Sequence, residues 1–89
     1  MKALVEKPDG KKLDSLGIKS WPQWTCGVSK FDWFYDEKET CYFYEGEVTV
    51  SSAEGKWKIG PGDLAVFPKG LKCVWEVFTP VRKAYRFGD

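Results

Sequence analysis

Eighty-nine residues hold one domain of ordinary size and leave no room for a second, so residues 1–89 are read as a single module. The charges nearly cancel, at +1, which leaves no long-range field to gather nucleic acid or an anionic membrane surface, and at 43% hydrophobic and 17% aromatic the chain is too apolar to stay disordered. Histidine is absent, which removes the Ser-His-Asp triad, the Cys-His dyad, the HExxH zinc site and every imidazole general base.

Gly and Pro punctuate short segments rich in Val, Tyr, Phe, Trp and Thr, which predicts an all-β fold. A strand is expected over Ala3 to Lys7. Between Gly10 and Gly17, Leu13 and Leu16 stand three apart among polar residues, enough for one short helical turn. Trp21 to Cys26 reads as an edge strand, because Pro22 has no N–H to give a central ladder. Strands follow at Phe31 to Tyr35 and Glu39 to Tyr44. Glu45-Gly46 is then read as a break before Glu47 to Ser51, the two runs forming a hairpin in which Val48 and Val50 share the buried face. Ala53-Glu54-Gly55 turns the chain into Lys56 to Ile59, a second hairpin. Leu64 to Phe67 is apolar on both faces and set between turn signals, as a buried strand would be. The last strands are expected at Leu71 to Phe78 and Val81 to Phe87, separated by Thr79-Pro80. Eight or nine short strands without internal repeats fit a closed sandwich or barrel.

The longest apolar run is four residues, against about 20 for a membrane span. The first residues, Met1 to Val5, are too short an apolar stretch for a signal peptide. Cys26, Cys41 and Cys73 are odd in number and lack a CxxC spacing, so free thiols in a cytoplasmic setting are expected.

Gly62-Asp63-Leu64-Ala65-Val66-Phe67-Pro68-Lys69-Gly70 resembles the second motif of the cupin superfamily, and Glu39 with Gly46 matches the end of the first. Trp21-Pro22-x-Trp24, Phe67-Pro68-Lys69-Gly70 with Trp75 beyond it, and Val81-Arg82-Lys83 make most of the chain resemble the small single-domain cupins related to (S)-ureidoglycine aminohydrolase. The resemblance implies a small single-domain jelly-roll barrel or sandwich. In metal-binding cupins it also implies a His-x-His pair before the Glu and a His three residues after the last motif glycine. Here Trp33, Tyr35 and Cys73 stand at those positions, and only Glu39 survives. Such a set is poor for a divalent ion, so the expectation is no metal and no other cofactor.

Period-two alternation sends Glu39, Cys41 and Phe43 to one face, and Leu71, Cys73, Trp75 and Val77 to one face. Trp33, Tyr35, Glu39, Cys41, Cys73 and Trp75 are therefore the expected lining of an aromatic pocket for a small, nitrogen-containing or carboxylate ligand. A filled barrel core is the competing reading. Glu39 is the candidate catalytic residue, as general acid or base, either without metal or with a rebuilt set of Glu39, Cys73 and Tyr35. No basic residue in either motif is placed to pair with it, so Glu39 is expected to be unpaired, and Lys69, Lys72, Arg82, Lys83 and Arg86 are read as a solvated face. A third reading makes the Tyr42 and Tyr44 face a homodimer contact.

Overall fold

In the computed structural model, which describes residues 1–88, the β-forming segments become seven strands among the described residues: β1 (Leu4–Glu6), β2 (Gln23–Cys26), β3 (Ser29–Phe34), β4 (Glu39–Ser52), β5 (Gly55–Ile59), β6 (Leu64–Phe67) and β7 (Lys72–Phe87). All pairings are antiparallel, and the path β1-β6-β4-β7-β2 is joined by β3 on β7 and β5 on β4. The expected all-β fold with one short helix near the N-terminus is borne out, its strands joined in one antiparallel sheet, with fewer strands than expected because two expected breaks do not occur.

Glu45-Gly46 does not end a strand, and the hairpin expected between the runs on either side of it does not form. β4 runs through, and its ladder with β7 shifts register between Phe43 and Val48. Such shifts mark bulges, where a strand bends without losing its partner. Gly46 sits at φ 99°, and a Cβ there would lie 2.5 Å from the Pro80 carbonyl oxygen and 2.6 Å from Val81 Cα. Only glycine allows that approach at that angle. Thr79-Pro80 likewise does not split β7, since the irregular ladder asks no N–H of Pro80, and Thr79 Oγ1 accepts the Glu47 N–H at 2.8 Å.

The two long strands thus bend together and each belongs to two half-sheets. Residues 39–42 of β4 and 84–87 of β7 carry β6 on one side, with β2 on β7 at 81–84; residues 48–51 and 74–77 carry β5 and β3. The halves close on a core of Phe43, Val48, Val50, Ile59, Phe67, Trp75, Val77 and Val81. Trp75, from one half, lies 5.8 Å from Phe67 and 6.0 Å from Trp24, both from the other, between ring centroids.

The helical turn proves longer than expected. A helix α1 (Gly10–Leu16) is capped by Asp9, whose side chain accepts the Lys12 N–H at 2.8 Å, and closed by Gly17 at φ 69°; a 3-10 turn at Ile18–Ser20 follows. Leu13, Leu16, Ile18 and Trp21 pack on Leu64, Ala84, Tyr42 and Tyr44. The two tyrosines expected at a dimer contact are therefore half-covered by their own chain, meeting edge to face at 5.2 Å with Arg82 over Tyr44 at 4.6 Å. No helix among the described residues is long and apolar enough to cross a membrane.

Candidate functional site

Lys83 is the centre of the site, and it corrects two expectations. Starting from buried Val81, the period of β7 turns residue 83 inward, so Lys83 belongs to the interior and not to the solvated face assigned to it. Its Nζ lies 3.2 and 3.1 Å from the two carboxylate oxygens of Glu39, with side-chain exposures of 6% and 5%. Glu39, expected to be unpaired, has a buried cation as its partner.

Register explains what surrounds the ammonium. Lys83 pairs with Phe43 of β4 on one side and Trp24 of β2 on the other, so both rings flank its stem. Trp75 approaches from the opposite half-sheet. The Nζ stands 4.5 Å from the Trp75 ring centre, 4.9 Å from Trp24 and 5.8 Å from Phe43, an aromatic box in which the faces of the rings attract the cation.

This ion pair is part of the lining of a pocket of about 260 Å³. Its walls are aromatic: Trp24, Phe31, Trp33, Tyr35 and Trp75, with Tyr85 and Phe87 from the end of β7. Trp33 is nearly half exposed, whereas Tyr35 is almost fully buried and stacks on Phe67 at 5.0 Å. The Tyr35 oxygen accepts a hydrogen bond from Trp75 Nε1 at 3.1 Å. Burial, with Glu39 adding to it, pushes the Tyr35 hydroxyl far above its usual range, so it stays a neutral phenol.

Of the six residues expected to line the pocket, Trp33, Tyr35, Glu39 and Trp75 do so. Cys41 and Cys73 are not among its walls. Cys41 is fully buried, with its Sγ 3.8 Å from the Ala65 carbonyl, and burial raises its pKa further than the nearby Lys83 lowers it. Cys73 sits in register with Trp33, and burial followed by the Glu39 charge pushes its thiol up to about 11. All three cysteines are free. Both thiols near the site are thus kept protonated at neutral pH, the reverse of what a nucleophile or a thiolate ligand needs.

Sequence reasoning missed Trp24, Phe31, Lys83, Tyr85 and Phe87. A signal for one of them was present: Val81, Lys83 and Tyr85 alternate with Arg82, Ala84 and Arg86, and an apolar residue on each side of Lys83 at that spacing marks the inward face.

The residues at the cupin ligand positions do not fit a divalent cation. Trp33 has no lone pair to give, Tyr35 is held as a phenol, Cys73 as a thiol, and both oxygens of Glu39 are engaged by Lys83. An ammonium occupies the carboxylate that a metal would take.

The family model described as the EutQ-like cupin domain matches residues 13–85. A DUF861-family protein from Thermotoga maritima, known from its crystal structure, is 49% identical over 97% of this chain and 99% of its own, with a TM-score of 0.94. The EutQ protein of Clostridium difficile is 22% identical over 98% of this chain and 69% of its own, with a TM-score of 0.70, a likeness of fold alone. A protein of unknown function from Acidithiobacillus ferrooxidans, of the DUF1255 group, shares the fold at a TM-score of 0.66 and 17% identity, over 70% of this chain and 60% of its own. No curated protein matches the chain.

Proposed function

Because this chain belongs to the EutQ-like cupin family, we propose that its barrel binds a small metabolite carrying a carboxylate or nitrogen donors, held between the aromatic walls and the Glu39–Lys83 pair. The observation that carries this reading is the ion pair itself. Taking two charges out of water costs several kcal/mol per ion, and an apolar pair of similar volume often does as well or better for stability. A buried pair that also opens onto a pocket is therefore better accounted for by recognition than by folding.

The pair presents both signs to a ligand. Lys83 has an N–H for a carboxylate or carbonyl oxygen, and Glu39 accepts from amide, ureide or amine N–H groups. Phe31, Trp33 and Tyr85 offer ring faces to a flat ligand body. The amide and ureide class is also what the resemblance to the (S)-ureidoglycine aminohydrolase-like cupins suggests.

A second reading, an enzyme that works without metal, is favoured by the close contact of Glu39 with Lys83 Nζ at 3.1 Å. A ligand inserted between them would meet a proton acceptor and a proton donor on one edge, the arrangement general acid–base chemistry uses. Glu39 is then the catalytic residue and Lys83 its proton-donating partner.

Two-dimensional NMR titration with small amides, ureides, amino acids and carboxylates tests both readings. Binding is expected to shift the indole N–H signals of Trp24, Trp33 and Trp75 together. Product signals growing in the same tubes would add the enzymatic reading. No shift with any class would defeat the proposal and leave the filled-barrel reading standing.

A further inference from the structure

The free edge of β3 carries an inference independent of what the pocket binds. Within the described residues β3 has one ladder, with β7, and five of its six residues are exposed. Tyr35, one residue beyond the strand, donates its N–H to the Leu71 carbonyl and accepts from Gly70 N–H, so its backbone faces the β7 side. By the alternation of a strand, the N–H and C=O groups of Lys30, Asp32 and Phe34 point away from β7, to the open edge. An edge of this kind is a template for another strand unless it is blunted.

The side chains specify which strand. We propose that a second copy of this chain pairs antiparallel along β3, about a two-fold axis at Phe31. In that register Lys30 lies opposite the partner's Asp32, and Asp32 opposite the partner's Lys30, each as a hydrogen-bonded backbone pair. Beyond those pairs, Phe34 at the end of the strand and Val28, the bend residue just before it, are among the most exposed hydrophobic residues at 58% and 68% and come near each other at both ends of the pairing. Among the described residues neither Lys30 nor Asp32 has an ion-pair partner, although Glu76 stands across from Lys30 on β7.

The neighbouring registers are disfavoured. Because hydrogen-bonding groups must meet, the strands slide relative to each other in steps that keep even residues opposite even ones. One step in one direction sets Lys30 on the partner's Lys30, and one step in the other sets Asp32 on the partner's Asp32. Like charges directly opposite destabilise a ladder, so the charges that would blunt this edge against a foreign strand select the self-complementary register. On the inner face the same pairing brings the two copies of Phe31 together, so the pocket walls of the two subunits meet at the axis.

Sedimentation equilibrium from micromolar to near-millimolar protein, with circular dichroism to confirm folding, tests the pairing. The wild-type chain is expected to dimerise. Lys30→Asp alone and Asp32→Lys alone each set like charges against each other at both pairs and are expected to weaken the dimer by at least about tenfold. The double exchange Lys30→Asp/Asp32→Lys restores opposite charges in the same register and is expected to return to within about threefold of wild type. A wild-type monomer throughout, single reversals without effect, or a double exchange no better than the singles would each overturn the proposal. Hydrogen exchange at the Lys30 and Asp32 amides of the unaltered chain gives an independent reading: it should slow as concentration rises, and exchange that ignores concentration refutes the pairing whatever the variants do.

Discussion

Residues 82 and 83 stand side by side on β7, and each forms an ion pair with a glutamate of β4, yet the two pairs sit in different media. Arg82 Nε meets Glu45 at 3.1 Å with 39% and 65% of the side chains exposed, and it also donates to Gln23 and covers Tyr44. Lys83 meets Glu39 at the same distance with 6% and 5% exposed, ringed by indoles. The attraction in water is worth little after screening and side-chain entropy, whereas the inner pair is set against a desolvation cost that each partner alone cannot bear. The strand period, and not residue type, decides which cation decorates the surface and which organises a pocket.

The comparison breaks most sharply at the inner pair. Lys83→Met leaves a buried carboxylate without its cation and is expected to cost about 3–5 kcal/mol in urea titration, and Glu39→Ala, which orphans the ammonium, should fall in the same range. The double variant Glu39→Leu/Lys83→Met removes both charges and should recover to within about 1 kcal/mol of wild type or exceed it, while losing the ligand response. A single variant costing under about 1 kcal/mol would show that water reaches the pair in solution.

The bend that separates the half-sheets comes next. Gly46→Ala forces a Cβ into the Pro80 carbonyl at positive φ, and a loss of about 2–3 kcal/mol is expected, read from the urea midpoint. A smaller effect follows from the Cys73 thiol, raised from 9.0 to about 11 by burial and by Glu39. Below pH 9 the thiol is protonated in both folded and unfolded chains and costs nothing. Between 9 and about 11 the unfolded thiol ionises while the folded one does not, so stability falls as pH rises through that window. Cys73→Ala should show a shallower alkaline loss than wild type when urea midpoints at about pH 8 and about pH 10 are compared. Smallest of all is Arg82→Ala at the outer pair, expected to cost no more than about 1 kcal/mol and less in high salt.

Much of this architecture was legible in the sequence. The alternation at Val48 and Val50, the turn at Ala53-Glu54-Gly55 and the buried run Leu64 to Phe67 rest on local chemistry and appear where expected, and β2 is an edge strand as expected, although it begins at Gln23, after Trp21 and Pro22. The strand count was not legible, because Gly46 and Pro80 are breakers by local rule and become a shared bend only when they meet across the ladder. The site was half legible. Trp33, Tyr35, Glu39 and Trp75 follow from motif spacing and strand period, but the partner of Glu39 lies 44 residues away in sequence. In the sequence Lys83 sits beside Arg82 in what looks like a solvated run, and only the closing of one half-sheet over the other gives it an aromatic box.

The paired length of β4 and β7 also bears on how the chain reaches this state. Their ladder joins Glu39 to Phe87 at one end and Ser51 to Val74 at the other, so its formation waits on closing long loops of chain, and the entropy of that closure is spent before the contacts reward it. Among the described residues only the β4–β5 hairpin closes locally, from Val48 with Ile59 inward to Ser52 with Gly55. Folding is therefore expected to be slow for a chain of this size, with that hairpin the first ladder able to form. Since each long strand belongs to both half-sheets, opening one half disturbs the strands of the other, and the two halves are expected to unfold together.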